Sequence, residues 1–184
     1  NAMVDTVLRH LPRARGRPLP QGLVAGGYGV VTLHRPANVD QPRALAGMLW
    51  RLAAAARHLP LAWPVHPRTA ARMQEFACPP PEGVVMLPPL RYLDFLALMA
   101  NARLVATDSG GVQEEAAAIG LPCLTLRRST ERPVTIAAGG NRLVSPEGLA
   151  KAVLDPPGQA RPIPLWDGHA GLRMREHLTE VLAA

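Results

Sequence analysis

Short apolar runs alternate along the chain with longer stretches whose apolar residues recur every three or four positions. Six runs read as strands: Gly29–Leu33, Leu61–Val65, Val84–Leu87, Leu104–Thr107, Pro122–Leu126 and, on a weaker pattern, Arg142–Val144. The intervening stretch Pro42–His58 puts Leu45, Met48, Leu49 and Leu52 on one helical face. Thr69–Phe76, Tyr92–Ala100, Gly111–Ile119, Val134–Ala138 and Pro146–Val153 supply the other helices. Strand and helix in alternation predict an α/β fold, a Rossmann-like parallel sheet of about six strands with helices on both faces. Gly120-Leu121-Pro122 stops one helix and Ser145-Pro146 starts another. Two segments leave this rhythm. Residues 12–27, rich in Pro, Gly and Arg, read as a linker or hinge, and residues 155–168 as an extended crossing loop before a final helix, His169–Leu182.

A length of 184 residues fits one medium domain or half of a two-lobed enzyme. With 48% hydrophobic and 18% charged residues, the chain can bury a core, which excludes a disordered class. Arg, Pro or His interrupts every apolar stretch before it reaches membrane-spanning length. No charged segment followed by an apolar core opens the sequence, so no secretory signal is read, and Asn1-Ala2-Met3 fits a cloning scar or native residues equally. Cys78 and Cys123 offer neither a disulfide framework nor metal-ligand spacing and suit a reducing cytoplasm. The net charge of +6 raises the question of nucleic acid. Lys151 is the only lysine, however, and the arginines are scattered among alanines and prolines. The densest cluster, Arg9, Arg13, Arg15 and Arg17, lacks aromatic partners and reads as a solvated linker rather than a nucleic-acid contact.

Candidate chemistry gathers where strands are predicted to end. Thr107-Asp108-Ser109-Gly110-Gly111-Val112-Gln113-Glu114-Glu115 follows a strand and opens a helix. Glycines there let backbone approach an anion, and the free N–H groups of the first helical turn point at it. Ser109 can add a hydroxyl, and Glu114 and Glu115 can accept from ribose hydroxyls one turn further in. An ordinary strand-to-helix turn with acidic residues near its start fits the spacing as well. His34-Arg35 ends the first strand, where open α/β sheets bind ligands; His34 reads as a proton donor, a cation near phosphate, or a capping or core histidine. Arg132, in Ser129-Thr130-Glu131-Arg132-Pro133, can grip phosphate with two N–H groups or pair with Glu131. Pro64-Val65-His66-Pro67-Arg68 is a fourth such stretch. Neither a Walker motif nor GxGxxG is present.

Together Thr32–Asp40 (TLHRPANVD), Pro64–Thr69 (PVHPRT), Tyr92–Asn101 (YLDFLALMAN), Thr107–Glu115 (TDSGGVQEE), Thr130–Pro133 (TERP), Asn141–Val144 (NRLV) and Asp167-Gly168 resemble the non-hydrolysing UDP-N-acetylglucosamine 2-epimerases. Met3-Val4-Asp5-Thr6 resembles the segment joining the two lobes of that family. The likeness spans nearly the whole chain in order. It implies the second lobe of a two-lobed GT-B-type fold, divided as an interlobe helix and linker (1–27), a Rossmann-like UDP-binding lobe (28–154), and a crossing loop with C-terminal helix (155–184).

The resemblance implies that Ser109, Gly110 and Gly111 hold the diphosphate, Glu115 the ribose, and Arg132 the phosphates, with Leu90 and Phe95 walling the uracil. It implies His34 as the active-site histidine, and Arg35 and His66 beside a second, regulatory UDP-N-acetylglucosamine. The implied reaction interconverts UDP-N-acetylglucosamine and UDP-N-acetylmannosamine at C2, by loss and re-addition of UDP, without metal or other cofactor. The catalytic carboxylates of the family belong to the other lobe, so this half alone should bind without turning over; the whole enzyme is expected as a homodimer. Pro88, Arg91, Arg128 and Ala37 depart from the common pattern. Two other readings stand beside this one: the donor lobe of a UDP-sugar glycosyltransferase or hydrolysing epimerase, and a non-catalytic nucleotide-sugar binding module.

Overall fold

The computed structural model describes residues 1–183. Six parallel strands, β1 (Gly29–Thr32), β2 (Leu61–Pro64), β3 (Val84–Leu87), β4 (Leu104–Thr107), β5 (Cys123–Thr125) and β6 (Asn141–Leu143), lie in the order β3-β2-β1-β4-β5-β6. The order reverses beside β1, so β1 and β4 are neighbours whose following loops leave in opposite directions. That is the position where an open α/β sheet presents a crevice at its carboxyl edge.

Period-two alternation builds the two faces. Val31, Trp63, Ala106 and Leu124 point to one cluster, with Leu45, Met48 and Leu52 of α3 (Pro42–Ala56) and Leu149 and Val153 of α8 (Leu149–Leu154). Val30, Ala62, Val105 and Cys123 point to the other. There they meet α1 (Ala2–Arg15), α5 (Tyr92–Ala100) and α6 (Gly110–Ile119). Strands buried on both sides read as continuous apolar runs, which is why they stood out in the sequence. Each fully buried leucine contributes about 1.5–3 kcal/mol relative to exposure.

Helix starts are fixed locally. Prolines occupy the first turn of α2 (Pro36–Val39), α3, α4 (Pro67–Glu75) and α7 (Pro133–Ala137), where a missing N–H costs nothing. Gly120 takes φ +74° beyond α6, a left-handed cap that a side chain would strain.

Three expectations are corrected. The segment 12–27 is not wholly linker, because α1 runs through Pro12 to Arg15. Pro12 lies on the exposed side while Val7, Leu11 and Ala14 pack inward, so burial outweighs one lost helical hydrogen bond. Arg9, Arg13 and Arg15 thus ride on a helix rather than a linker, and Arg17 pairs with Asp94. The expected helix 146–153 splits into a 3-10 turn, Pro146–Gly148, and α8. The final helix, α9 (Ala170–Ala183), buries no residue among those described, and its first N–H groups are capped by Asp5 of α1, at 3.1 Å from Ala170 and 2.7 Å from Gly171.

Candidate functional site

The turn after β4 is held before any ligand enters. The Thr107 hydroxyl lies 2.5 Å from that of Thr32 on β1 and accepts the Ser109 N–H at 2.9 Å. Ser109 caps α6, its Oγ accepting from Val112 at a long 3.5 Å. The N–H groups of Gly110 and Gly111 are therefore left at the helix start, aimed out of the sheet edge.

Asp108 sits just behind this turn with a fully buried carboxylate. It accepts the backbone N–H of Arg35 at 2.9 Å, that of His34 at 3.1 and 3.2 Å, and the Asn38 amide at 2.9 Å. One aspartate thus folds the β1–α2 loop onto the β4–α6 loop. Asp40, at the end of α2, accepts from Arg68 and Arg72 of α4, and Thr69 of α4 donates to the Leu33 carbonyl at 2.5 Å. Those bonds draw the His66 end of β2 beside His34, their ring centroids 5.3 Å apart.

His34, His66, Leu90, Phe95 and Ser109 line one pocket of about 210 Å³, together with Thr32, Pro89 and Val112. Arg132 faces the turn from the β5–α7 loop, its Nη2 4.0 Å from where a Cβ on Gly110 would lie. The sequence left Arg132 between phosphate and Glu131. Its Nε lies instead 2.8 Å from a carboxylate oxygen of Glu114, yet that N–H is buried and not directed at any acceptor. The Glu131 carboxylate bridges Arg35 at 3.0 Å and Arg127 at 2.6 Å and reaches to 3.1 Å of the Gly110 Cβ position. Arg35 is thereby turned away from His66, into a separate groove of about 1040 Å³ that Arg127, Arg128 and Ser129 also line.

Glu115 is buried one turn into α6. Burial raises its carboxyl to about 7, the Glu114 charge adds to this, and a hydrogen bond from Tyr92 opposes it. The His34 imidazole is lowered, first by burial, with His66, Arg35 and Arg68 acting in the same direction and Asp108 against them. Glu131 is held at about 2, mainly by its own backbone N–H and by Arg127.

A buried polar network that the sequence reading assigned no role ties the elements together. Gln113 donates to the Ser109 carbonyl at 3.1 Å and accepts from Thr130 at 2.6 Å and Asn141 at 3.3 Å; Asn141 also joins Thr125 and Thr135. Gln113, Thr130 and Asn141 lie inside the motif stretches, Thr135 lies beside one, and Thr125 is on β5. Polar residues fixed in apolar surroundings at strand ends were the signal available for them, and for Asp108 and Asn38. Asn1, left open between scar and native residue, caps α1 and donates to Glu114 at 2.9 Å. Among the described residues there is no metal-ligating cluster and no helix long and apolar enough to cross a membrane.

The family model for UDP-N-acetylglucosamine 2-epimerase matches residues 1–178. The chain belongs to the UDP-N-acetylglucosamine 2-epimerase family. It is 37% identical over 166 residues to the Methanocaldococcus jannaschii UDP-N-acetylglucosamine 2-epimerase, which covers 83% of this chain and 45% of that protein. It is 35% identical over 146 residues to a UDP-2,3-diacetamido-2,3-dideoxy-D-glucuronate 2-epimerase of Pseudomonas aeruginosa, covering 78% and 40%. The crystal structure of the M. jannaschii epimerase in complex with UDP-GlcNAc and UDP superposes with a TM-score of 0.79 at 33% identity, over 98% of this chain and 53% of that one. The chain thus spans about half the length of the epimerases it matches, and the shared half is the Rossmann-like sheet with its α6 turn.

Proposed function

We propose that this chain is the UDP-binding lobe of an enzyme that epimerises a UDP-2-acetamido sugar at C2, UDP-N-acetylglucosamine to UDP-N-acetylmannosamine being the reference case. The observation that carries this reading is the Ser109-Gly110-Gly111 turn, with free N–H groups on one side and the Arg132 guanidinium on the other, its Nη2 4.0 Å from the Gly110 Cβ position. Donors fixed in advance around one point are what a developing diphosphate anion requires. The two relatives' names share UDP and the 2-epimerase activity but differ in the rest of the sugar. This lobe is accordingly assigned to the shared part.

In this reading the C2 proton is removed by a group outside this chain and UDP departs from C1, leaving a 2-acetamidoglucal. A proton is then delivered to the opposite face of C2 by another group outside this chain as UDP adds back to C1, so that C2 is inverted. Gly110, Gly111, Ser109 and Arg132 stabilise the charge that grows on the leaving diphosphate. Glu115 accepts from the ribose, Leu90 and Phe95 enclose the uracil, and His34 stands beside the departing phosphate. His66, beside His34, is assigned to a second, regulatory nucleotide sugar; Arg35, engaged by Glu131, reaches it only after that carboxylate lets go. A first lobe closing over the carboxyl edge of this sheet, and a second copy of the whole enzyme, complete the proposed assembly, with 1–27 as interlobe segment and 155–184 as crossing loop and helix. By itself the lobe binds UDP without turnover; epimerisation by the purified chain, free of host enzyme, would count against that.

Calorimetry tests the central claim. UDP should bind more tightly than UMP, even if only at about 1 mM, equivalent to about 4 kcal/mol. A Ser109→Ala, Glu115→Ala double variant should abolish binding. Equal affinity for UMP and UDP, or a fully binding variant, would overturn the assignment. For the complete enzyme, UDP-N-acetylmannosamine as product separates this reading from a glycosyltransferase or hydrolysing epimerase, both of which release free UDP.

A further inference from the structure

Asp108 is a buried carboxylate without a lysine or arginine within ion-pairing distance among the described residues; its only ionisable neighbour at that range is His34, with Nδ1 3.1 Å from Oδ1. Such a carboxylate stays charged only if N–H groups surround it. Three do so from the β1–α2 loop and α2 itself: the backbone N–H groups of His34 and Arg35 and the side-chain amide of Asn38. Each approaches the carboxylate as a donor, so the oxygens present negative charge to whatever else is near.

We infer that Asp108 is the positioning residue of His34, fixing its loop and holding the imidazole proton on Nδ1, so that Nε2 is the nitrogen offered to the ligand. With Nδ1 3.1 Å from Oδ1, a bare Nδ1 brings the negative end of the ring dipole near a carboxylate oxygen and is repelled, whereas a proton on it is attracted. The Nδ1–H is not well aligned with Oδ1, so the preference is electrostatic rather than that of a directed hydrogen bond. Nε2 makes no hydrogen bond among the described residues. The charged and titratable groups facing the ring are Asp108 from the β4–α6 loop, His66 and Arg68 from the β2–α4 end, and Arg35 on its own loop. All but Asp108 are cationic or become so on protonation and disfavour the imidazolium; Asp108 is the one anion among them. The reading of His34 as an active-site group rests on the proposed function; the tautomer and its cause do not.

The test uses the ligand-free chain labelled with 15N. Long-range proton–nitrogen spectra at pH 8 report which imidazole nitrogen carries the proton, and His34→Gln identifies the His34 signals. Free histidine favours the Nε2–H form, so a His34 spectrum dominated by Nδ1–H is the expected result and runs against the intrinsic preference. Asp108→Asn should return the ring to a mixed or Nε2–H population. Asn38→Ala, which removes a donor from the other carboxylate oxygen, Oδ2, without touching the ring, should leave the tautomer unchanged. A wild-type His34 protonated on Nε2 overturns the inference even if Asp108→Asn fails to fold. An unchanged tautomer in a folded Asp108→Asn chain overturns it as well. UDP affinity, measured separately, bears only on the proposed function.

Discussion

The Oε1 atom of Gln113 accepts the Thr130 hydroxyl at 2.6 Å, while its Nε2 donates to the Ser109 carbonyl at 3.1 Å. One side chain therefore spans the turn that would hold a diphosphate and the loop that carries Arg132. Gln113→Leu keeps most of the volume and removes every side-chain bond. It leaves the Thr130 hydroxyl and the Asn141 amide each one partner short, while the Ser109 carbonyl keeps the Gln113 backbone N–H at 3.3 Å. A loss of about 2 kcal/mol or more in denaturant unfolding is expected. Because the two loops lose their common tie, UDP affinity should fall by more than UMP affinity, which paired titrations would read.

Glu115 predicts a pH dependence. Its folded value of about 7 lies above the ordinary 4.5, so the folded chain binds more protons than the unfolded chain between those values. Stability should therefore fall as pH rises from about 4.5 to 7 and level off above, by at most about 3 kcal/mol for this group. Glu115→Gln should flatten that window and be the more stable chain at pH 8. Equal slopes for the two proteins in urea titrations across the window would refute the assignment.

Two glycines separate site from scaffold. A Cβ on Gly110 would meet Glu131 at 3.1 Å and intrude where the anion approaches, whereas one on Gly140 would strike the Ala160 backbone nitrogen at 2.8 Å. Gly110→Ala should weaken UDP at least about tenfold with little change in melting temperature, since only a side-chain tip must move. Gly140→Ala should do the opposite, costing about 1–3 kcal/mol by displacing the crossing loop. Calorimetry and thermal melts on both variants distinguish these outcomes.

Asp5→Ala removes the cap that α1 gives to α9. The Ala170 and Gly171 amides should then exchange with solvent at rates of an unprotected helix end, while the amides of β1 and β4 keep their protection. The Asp5 carboxyl is held below its ordinary range chiefly by the Gly171 N–H, so the cap is complete above pH 3.8 and should be lost as pH falls through the folded value.

The central strands β1, β2, β4 and β5 were legible because they are buried on both faces: Val30 and Val31 point to opposite cores, and nothing polar interrupts the run. Strand positions accordingly agree within about one residue at each end. The strand-to-helix turn at Ser109-Gly110-Gly111 was legible as well, falling where the sequence puts it, between β4 and α6. The partners of charged groups were not. Arg132 could have met Glu131, two atoms of backbone away, but the fold delivers Glu114 from α6 and sends Glu131 to Arg35 and Arg127. Such choices depend on how loops from distant strands face each other, and local spacing carries no record of it. The helix through Pro12 was hidden for a related reason: a single proline is a strong local stop, and only the packing of Ala14 overrules it.

Glu131 stands between two arginines at the edge of the turn proposed to hold the diphosphate, and Glu114 stands beside a third. The resting site therefore carries its own counter-ions, tethered to the chain instead of drawn from solution. An arriving diphosphate displaces fixed carboxylates rather than mobile chloride. Binding should release few ions into the bulk, and added salt should weaken it far less than a cleft with this many arginines would suggest.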